Sequence, residues 1–328
     1  MSETILVSGG CGYIGSHVVR QLSESGRTVV VYDNLSTGFR GALTLGEELV
    51  EGDLADRVRL EELFQRHKFT TVLHFAAAII APESVSKPLK YYGNNTRNTL
   101  GLLEACVKYG VRRFIFSSTA AVYGIPDGGV ASEEDVLAPI NPYGTSKLMS
   151  EWMLRDVAAA HDMQYVALRY FNVAGADPQA RMGQRTPEAT HLIKVACQTA
   201  LGMRESVSVY GTDYPTPDGT GIRDYIHIED LASAHLCALE YLEKGGESTA
   251  MNVGYGHGSS VREVLEVVKK VSGADLKVIE AERRPGDPAS LVARADKIRS
   301  LTGWQPRFNN LEKIVADAWR WESMLAGK

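Results

Sequence analysis

The chain has 328 residues, enough for one large or two modest domains, and 44% of them are hydrophobic, so it can bury a substantial core. A net charge of −5 argues against nucleic acid or an anionic membrane surface as the main partner. No apolar run of about 18 residues marks a membrane span, and the N-terminus has no signal-peptide pattern. The four cysteines, Cys11, Cys106, Cys197 and Cys237, have no metal-ligand spacing, so the expectation is a reduced, cytoplasmic protein without a bound metal.

Thr4 to Ser8 is a short β-branched run that predicts a buried strand. Gly9-Gly10-Cys11-Gly12-Tyr13-Ile14-Gly15-Ser16-His17 follows, and a helical pattern continues to about residue 25. Glycines 9, 12 and 15 permit a tight strand-to-helix turn, close approach of backbone to a pyrophosphate, and close helix–strand packing. The helix N-terminus then faces the phosphates. A second strand, Thr28 to Tyr32, ends at Asp33, 18 residues past Gly15. A carboxylate there accepts from both adenosine ribose hydroxyls and repels a 2′-phosphate, which favours NAD over NADP.

Further strands are expected at 48–51, 71–75, 112–117 and 164–169. Helices are expected at 56–66, 89–109 and 143–160. This alternation predicts a parallel sheet covered on both faces. Asp53, after the third strand, reads either as a contact to the adenine amino group or as an N-capping turn residue. His74-Phe75-Ala76-Ala77-Ala78 reads either as close backbone approach to a cofactor or as tight packing. All these segments fall at the carboxyl ends of strands, where an open α/β sheet binds its ligand.

Asn141-Pro142 predicts a helix start, with Asn as N-cap and Pro at the first helical position. Tyr143 and Lys147 then share one helix face. A free phenol has a pKa of about 10, and a cation at roughly 5 Å favours the phenolate by about 3 kcal/mol. Tyr143 is therefore a candidate proton shuttle, although an ordinary amphipathic helix also accommodates such a pair. Beyond about residue 175 the pattern loosens. Asp177–Pro187 and Gly211–Gly221 are polar, and helices are expected at 188–202, 229–244, 260–272 and 309–325. The overall expectation is a Rossmann-type doubly wound α/β domain over 1–175, interleaved with a smaller mixed α/β lobe over 176–328.

The Gly9–Gly15 turn, Asp33, Phe116-Ser117-Ser118-Thr119 and Tyr143-x-x-x-Lys147 resemble the extended short-chain dehydrogenase/reductase family. Within it, His74-Phe75-Ala76, Asn94-Asn95, Arg169-Tyr170-Phe171-Asn172, the block from Tyr214 to His227 and Arg284-Pro285-Gly286-Asp287 are similar to the nucleotide-sugar 4-epimerases along nearly the whole chain. The resemblance implies tightly held NAD, a homodimer, and interconversion of UDP-galactose and UDP-glucose. The implied route is oxidation at C4 to a 4-keto sugar and hydride return to the opposite face.

It assigns catalysis to Tyr143, Lys147 and Thr119, with Ser118 the neighbouring alternative to Thr119. It assigns cofactor contacts to Gly9, Gly12, Tyr13, Ile14, Gly15, Asp33, Asn34, Asp53, Leu54, Phe75, Ala76, Ala77, Asn94, Ser117, Tyr143, Lys147 and Tyr170. Substrate contacts fall on Thr119, Tyr143, Asn172, His191, Leu192, Tyr210, Arg223, Tyr225, Arg284, Asp287 and Leu291. Arg223 and Arg284 would neutralise the UDP diphosphate. His191 replaces an Asn of many relatives. Leu291 replaces a Tyr, which leaves space beside the hexose and suggests tolerance of an N-acetyl group at C2. A 4,6-dehydratase needs an acid–base pair where this chain has Ala120 and Ala121. A catalytically silent NAD-binding regulator would not be expected to keep Tyr143, Lys147 and Thr119 together. A pentose 4-epimerase remains as an alternative.

Overall fold

Seven parallel strands form the central layer of the computed structural model, which describes residues 3–186, 189–284 and 286–327. Pro187, at the end of one expected polar segment, and Pro285, within one of the resembling motifs, lie outside the described residues. The chain opens with β1 (Thr4–Ser8), α1 (Tyr13–Glu24), β2 (Thr28–Asp33), β3 (Glu48–Glu51), α2 (Arg57–Arg66) and β4 (Phe69–His74), each within two residues of expectation. Next come α3 (Ala81–Ser86), α4 (Pro88–Tyr91), a π-type segment (Tyr92–Arg97) and α5 (Asn98–Tyr109). The single helix expected over 89–109 is therefore three pieces. Wide turns at 92–97 carry the buried Asn95, whose side chain bonds both backbone groups of Ala78 (2.8 and 3.0 Å) and the Ser146 hydroxyl (3.0 Å).

The first half ends with β5 (Arg113–Ser117), β6 (Val130–Ala131), α6 (Pro142–Ala160), β7 (Gln164–Tyr170) and β8 (Asn172–Ala174). The second half holds α7 (Leu192–Ala200), β9 (Val207–Tyr210), β10 (Ile222–Arg223), β11 (Tyr225–His227), α8 (Ile228–Glu243), β12 (Thr249–Val253) and β13 (Ser259–Ser260). It closes with α9 (Val261–Ser272), β14 (Val278–Ala281), β15 (Ser290–Ala293), α10 (Asp296–Thr302) and α11 (Leu311–Leu325).

The sheet order is β12-β7-β5-β4-β1-β2-β3. Ile5, Leu6 and Val7, like Val29, Val30 and Val31, are all buried, as strands covered on both faces require. The chain runs outward from β1 to β3, then crosses back to place β4 on the other side of β1. That reversal opens the crevice in which doubly wound sheets bind ligands.

The seventh strand, β12, comes from beyond residue 175 and pairs in parallel with β7. Conversely, β6 and β8 of the first half pair with β15 and β11 of the second. The two halves are thus interleaved. A buried polar cluster also ties them together. Glu229 at the start of α8 bonds His17 Nδ1 (2.6 Å), the Arg20 guanidinium and the Gln21 amide (2.8 Å) of α1. Burial alone would raise the Glu229 pKa, but the His17 hydrogen bond and the neighbouring positive charge hold it at about 2. His17 itself is pulled below its ordinary value, chiefly by burial. Arg20 is therefore the dependable cation of this cluster at neutral pH. Among the described residues all four cysteines are free, no helix is long and apolar enough to cross a membrane, and no group of side chains has a metal-binding arrangement.

Candidate active site

A cavity of about 300 Å³ lies over the carboxyl ends of the sheet. Its floor is the turn from β1 to α1. Gly9 has a φ of +76°, and a Cβ there would sit 2.5 Å from the Ala76 amide nitrogen. A Cβ on Gly15 would sit 2.3 Å from the Gly9 carbonyl oxygen. No side chain caps α1, and no acidic residue occupies its first turn, so its positive end faces the cavity undiminished. Asp33 closes the end of β2. Its carboxylate accepts from the amides of Cys11 (2.9 Å) and Leu35 (2.8 Å). Burial raises its pKa, and those two hydrogen bonds oppose the rise. A cradle that admits only bare backbone, an uncapped helix start and a fixed carboxylate at the second strand fit a dinucleotide.

Of the expected cofactor contacts, Gly9, Gly12, Tyr13, Ile14, Gly15, Asp33, Asn34, Asp53, Leu54, Phe75, Ala76, Ala77, Asn94, Ser117, Tyr143 and Tyr170 all line this cavity. Asp53 is a turn residue on the cavity wall, while the N-cap of α2 is Asp56. The Asp53 carboxylate accepts from the Ala55 amide (2.8 Å) and from Asn34 Nδ2 (2.8 Å).

The catalytic candidates meet at the other end. The Asn141 side chain accepts from the Gly144 amide (2.9 Å) and Pro142 opens α6, as the sequence predicts. This places Tyr143 in the first turn, on the cavity wall with Thr119. Thr119 follows β5, and its Oγ1 accepts from the Ala121 amide (3.2 Å). Tyr91 packs edge-on to the Tyr143 ring, with centroids 6.4 Å apart. Ser117 Oγ and the Tyr170 hydroxyl are 2.6 Å apart.

Lys147 corrects the sequence reading in two respects. It is buried behind the wall rather than lining it, and its Nζ donates to the Ser117 carbonyl (2.7 Å) and rides 4.8 Å from the Phe116 ring centroid. Nor does it lower the phenol in the protein alone. Burial raises the Tyr143 pKa, against a hydrogen bond with Thr119 that lowers it. Burial also pulls Lys147 down to about 7, against the Glu151 charge that raises it. The dry interior favours the neutral form of each group, and neither group figures among the causes of the other's shift.

The substrate candidates divide into two groups. Thr119, Tyr143, Asn172 and His191 line the cavity. His191 Nδ1 is 2.8 Å from the Gln184 amide, and its pKa is lowered by burial and then by Lys194. Tyr225 stands behind, buried and in register with Asn172. Leu192 packs on the core and is not part of the wall. Tyr210, Arg223, Arg284, Asp287 and Leu291 also lie outside the wall. Arg223 is ion-paired to Asp287, and the Arg284 guanidinium covers the Tyr210 ring at 3.9 Å. Leu291 in β15 is in register with Arg223 in β10. Asp287 donates its amide to the Arg284 carbonyl (3.1 Å), so one turn ties these residues into a single patch. The expected open guanidinium groups thus carry internal partners.

Sequence reasoning missed Ser36, Thr37, Asn98, Phe171, Gln184 and Thr186, which also line the cavity. Ser36 and Thr37 were within reach, because they follow the acid that ends β2. Gln184 and Thr186 sit in a polar loop whose pattern gives no signal.

The model of the NAD dependent epimerase/dehydratase family matches residues 5–254. A UDP-glucose 4-epimerase of Azospirillum brasilense is 54% identical over 99% of this chain and 93% of its own length. The crystal structure of UDP-glucose 4-epimerase from Brucella ovis in complex with NAD superposes with a TM-score of 0.94 at 43% identity, covering 97% of this chain and 98% of that one. The UDP-Glc/GlcNAc 4-epimerase of Campylobacter jejuni superposes with a TM-score of 0.87 at 52% identity, covering 98% and 100%. The chain belongs to the NAD dependent epimerase/dehydratase family and, within it, to the UDP-glucose 4-epimerases.

Proposed function

We propose that this protein interconverts UDP-galactose and UDP-glucose by inverting C4 of the hexose, with NAD held in the cavity. The observation that carries this is the meeting of Tyr143 and Thr119 on one wall of the cavity whose floor is the glycine turn and Asp33. Gly9, Gly12, Gly15 and the start of α1 would hold the diphosphate of NAD, and Asp33 the adenosine ribose. When bound, NAD supplies a hydride acceptor and donor and a formal positive charge on its nicotinamide.

Tyr143, as a phenolate, would take the proton of the sugar 4-hydroxyl through Oη as C4 becomes a ketone and give it back once the sugar has turned over; burial alone keeps the phenol neutral, and the positive charge of bound NAD would favour its ionised form. Thr119 orients that oxygen through its own hydroxyl. Lys147, one helical turn from Tyr143 and pinned by the Ser117 carbonyl, has its amine pulled down to about pKa 7 by burial and would reach the nicotinamide ribose of bound NAD. Arg223 and Arg284 would receive the UDP diphosphate, with Arg223 exchanging its Asp287 partner for phosphate oxygens. Asp287 is then free for the uridine ribose, and Tyr210, Tyr225, His191 and Leu192 border the nucleoside.

Incubation with UDP-galactose and no added cofactor is the direct test. UDP-glucose should form with the wild type and not with Tyr143→Phe, and denaturation should release NAD. A wild type that carries NAD yet leaves UDP-galactose unchanged would refute the reading.

A wider sugar pocket is a second reading, favoured by Leu291 standing beside Arg223 in the patch. Turnover of UDP-N-acetylglucosamine tests it, and no reaction beside brisk UDP-galactose turnover rejects it. For assembly the proposal is a homodimer through α5 and α6, which leave Leu100 and Trp152 41% and 48% exposed. A monomer in light scattering at micromolar concentration would count against it. Free, mostly buried cysteines support a reducing, cytoplasmic location.

A further inference from the structure

Two polar loops line the dinucleotide cavity and touch each other. Ser36 and Thr37 line it from the loop after β2, and Gln184 and Thr186 line it from the loop before α7. The first loop rests on the glycine turn. The Phe39 amide donates to the Cys11 carbonyl (3.2 Å), and a Cβ on Gly38 would lie 2.7 Å from the Cys11 carbonyl carbon. The second loop is anchored away from the cavity. Arg181 pairs with Asp177 (2.7 Å) and lies 3.6 Å from Glu24 of α1. The Gln184 carbonyl accepts from Lys194 Nζ (2.8 Å) and from the Trp321 indole (3.2 Å).

Arg185 is the next residue, exposed and outside the proposed chemistry. Its guanidinium lies 4.4 Å from the centroid of the Phe39 ring and 5.7 Å from that of Trp321. A planar cation between two aromatic faces is a weak, reversible bond. Here it joins two loops whose neighbouring residues, Ser36 and Thr37 on one and Gln184 and Thr186 on the other, all line the cavity.

We propose that Phe39, Arg185 and Trp321 form a latch between these two loops, and that Arg185 is a positioning residue that sets how fast bound NAD leaves. This rests on the reading that NAD occupies the cavity. Each loop keeps its own anchors when the Arg185 contact is lost, so breaking the latch loosens the contact between the loops without unfolding the protein.

The test is exchange of isotopically labelled NAD out of the holoenzyme in excess unlabelled NAD. An exposed cation–π contact predicts that Arg185→Ala exchanges about two- to fivefold faster than wild type, with unchanged melting temperature. Phe39→Leu should accelerate exchange similarly, and the double variant should be no faster than the faster single variant. Arg185→Lys keeps the charge but loses the flat face, and should fall between. Wild-type exchange in Arg185→Ala overturns the latch, as does a lowered melting temperature at the wild-type exchange rate. If the wild type retains no labelled NAD, the cofactor reading itself fails, and that is visible before any variant is made.

Discussion

The cofactor cavity and the patch around Arg223 are built in opposite ways. The cavity is walled by the ends of largely buried strands of one central sheet, and its distinctive positions are ones where a Cβ would collide with backbone. The patch is carried by the two-residue β10, the four-residue β15 and a turn. Its charges are satisfied internally, Arg223 by Asp287 and Arg284 by the Tyr210 ring. One site is preformed. The other holds its groups in internal contacts that, under the proposed function, the substrate would displace. A cofactor that cycles in place suits the first, and a substrate that must leave suits the second.

Four substitutions test this contrast, from the largest expected effect to the smallest. Tyr143→Phe removes the proton shuttle and should lower kcat by about 100- to 10,000-fold, while NAD content measured after denaturation stays at the wild-type level. Gly15→Ala drives a methyl to 2.3 Å from the Gly9 carbonyl and should cost about 2–3 kcal/mol in urea unfolding, together with loss of NAD. Unfolding without such a loss would mean the turn is softer than its packing indicates.

Lys147 gives a pH signature in the cofactor-free protein. Its folded pKa of about 7 lies below the unfolded 10.5, so the unfolded chain binds more protons between those values. Stability should therefore rise with pH across that window, by of order 2–4 kcal/mol, and Lys147→Met should flatten the rise. Arg223→Ala should raise KM for UDP-galactose about tenfold, with NAD content and melting temperature nearly unchanged, because a partly exposed ion pair contributes little to folding. Loss of NAD in that variant would break the separation between the two regions.

The cofactor half was the more legible in sequence. Its strands are short, apolar and bounded by turns, and its motifs depend on residues only a few positions apart. The cap of α6 was readable for the same reason, since Asn141 and Gly144 interact locally. What stayed hidden depends on distant partners. The edge strand β12 is defined by pairing with β7, and Gln184 enters the wall through a loop anchored by Lys194 and Trp321. The break at 92–97 reflects the reach of Asn95 to Ala78 and Ser146, which no local periodicity encodes. In sequence the charge of Lys147 near Tyr143 could be weighed but burial could not, because helix spacing reveals their neighbourhood and not how dry it is.

The late arrival of β12 bears on biosynthesis. β7 ends at Tyr170, and its neighbour does not begin until Thr249. At about 5–20 residues per second, a ribosome takes roughly 4–16 s to make the intervening stretch. Throughout that interval the nascent sheet presents a bare hydrogen-bonding margin to the cell. Chains stalled or truncated in this stretch should be clients of chaperones and prone to coaggregate, whereas those terminated after Val253 can seal that margin for themselves.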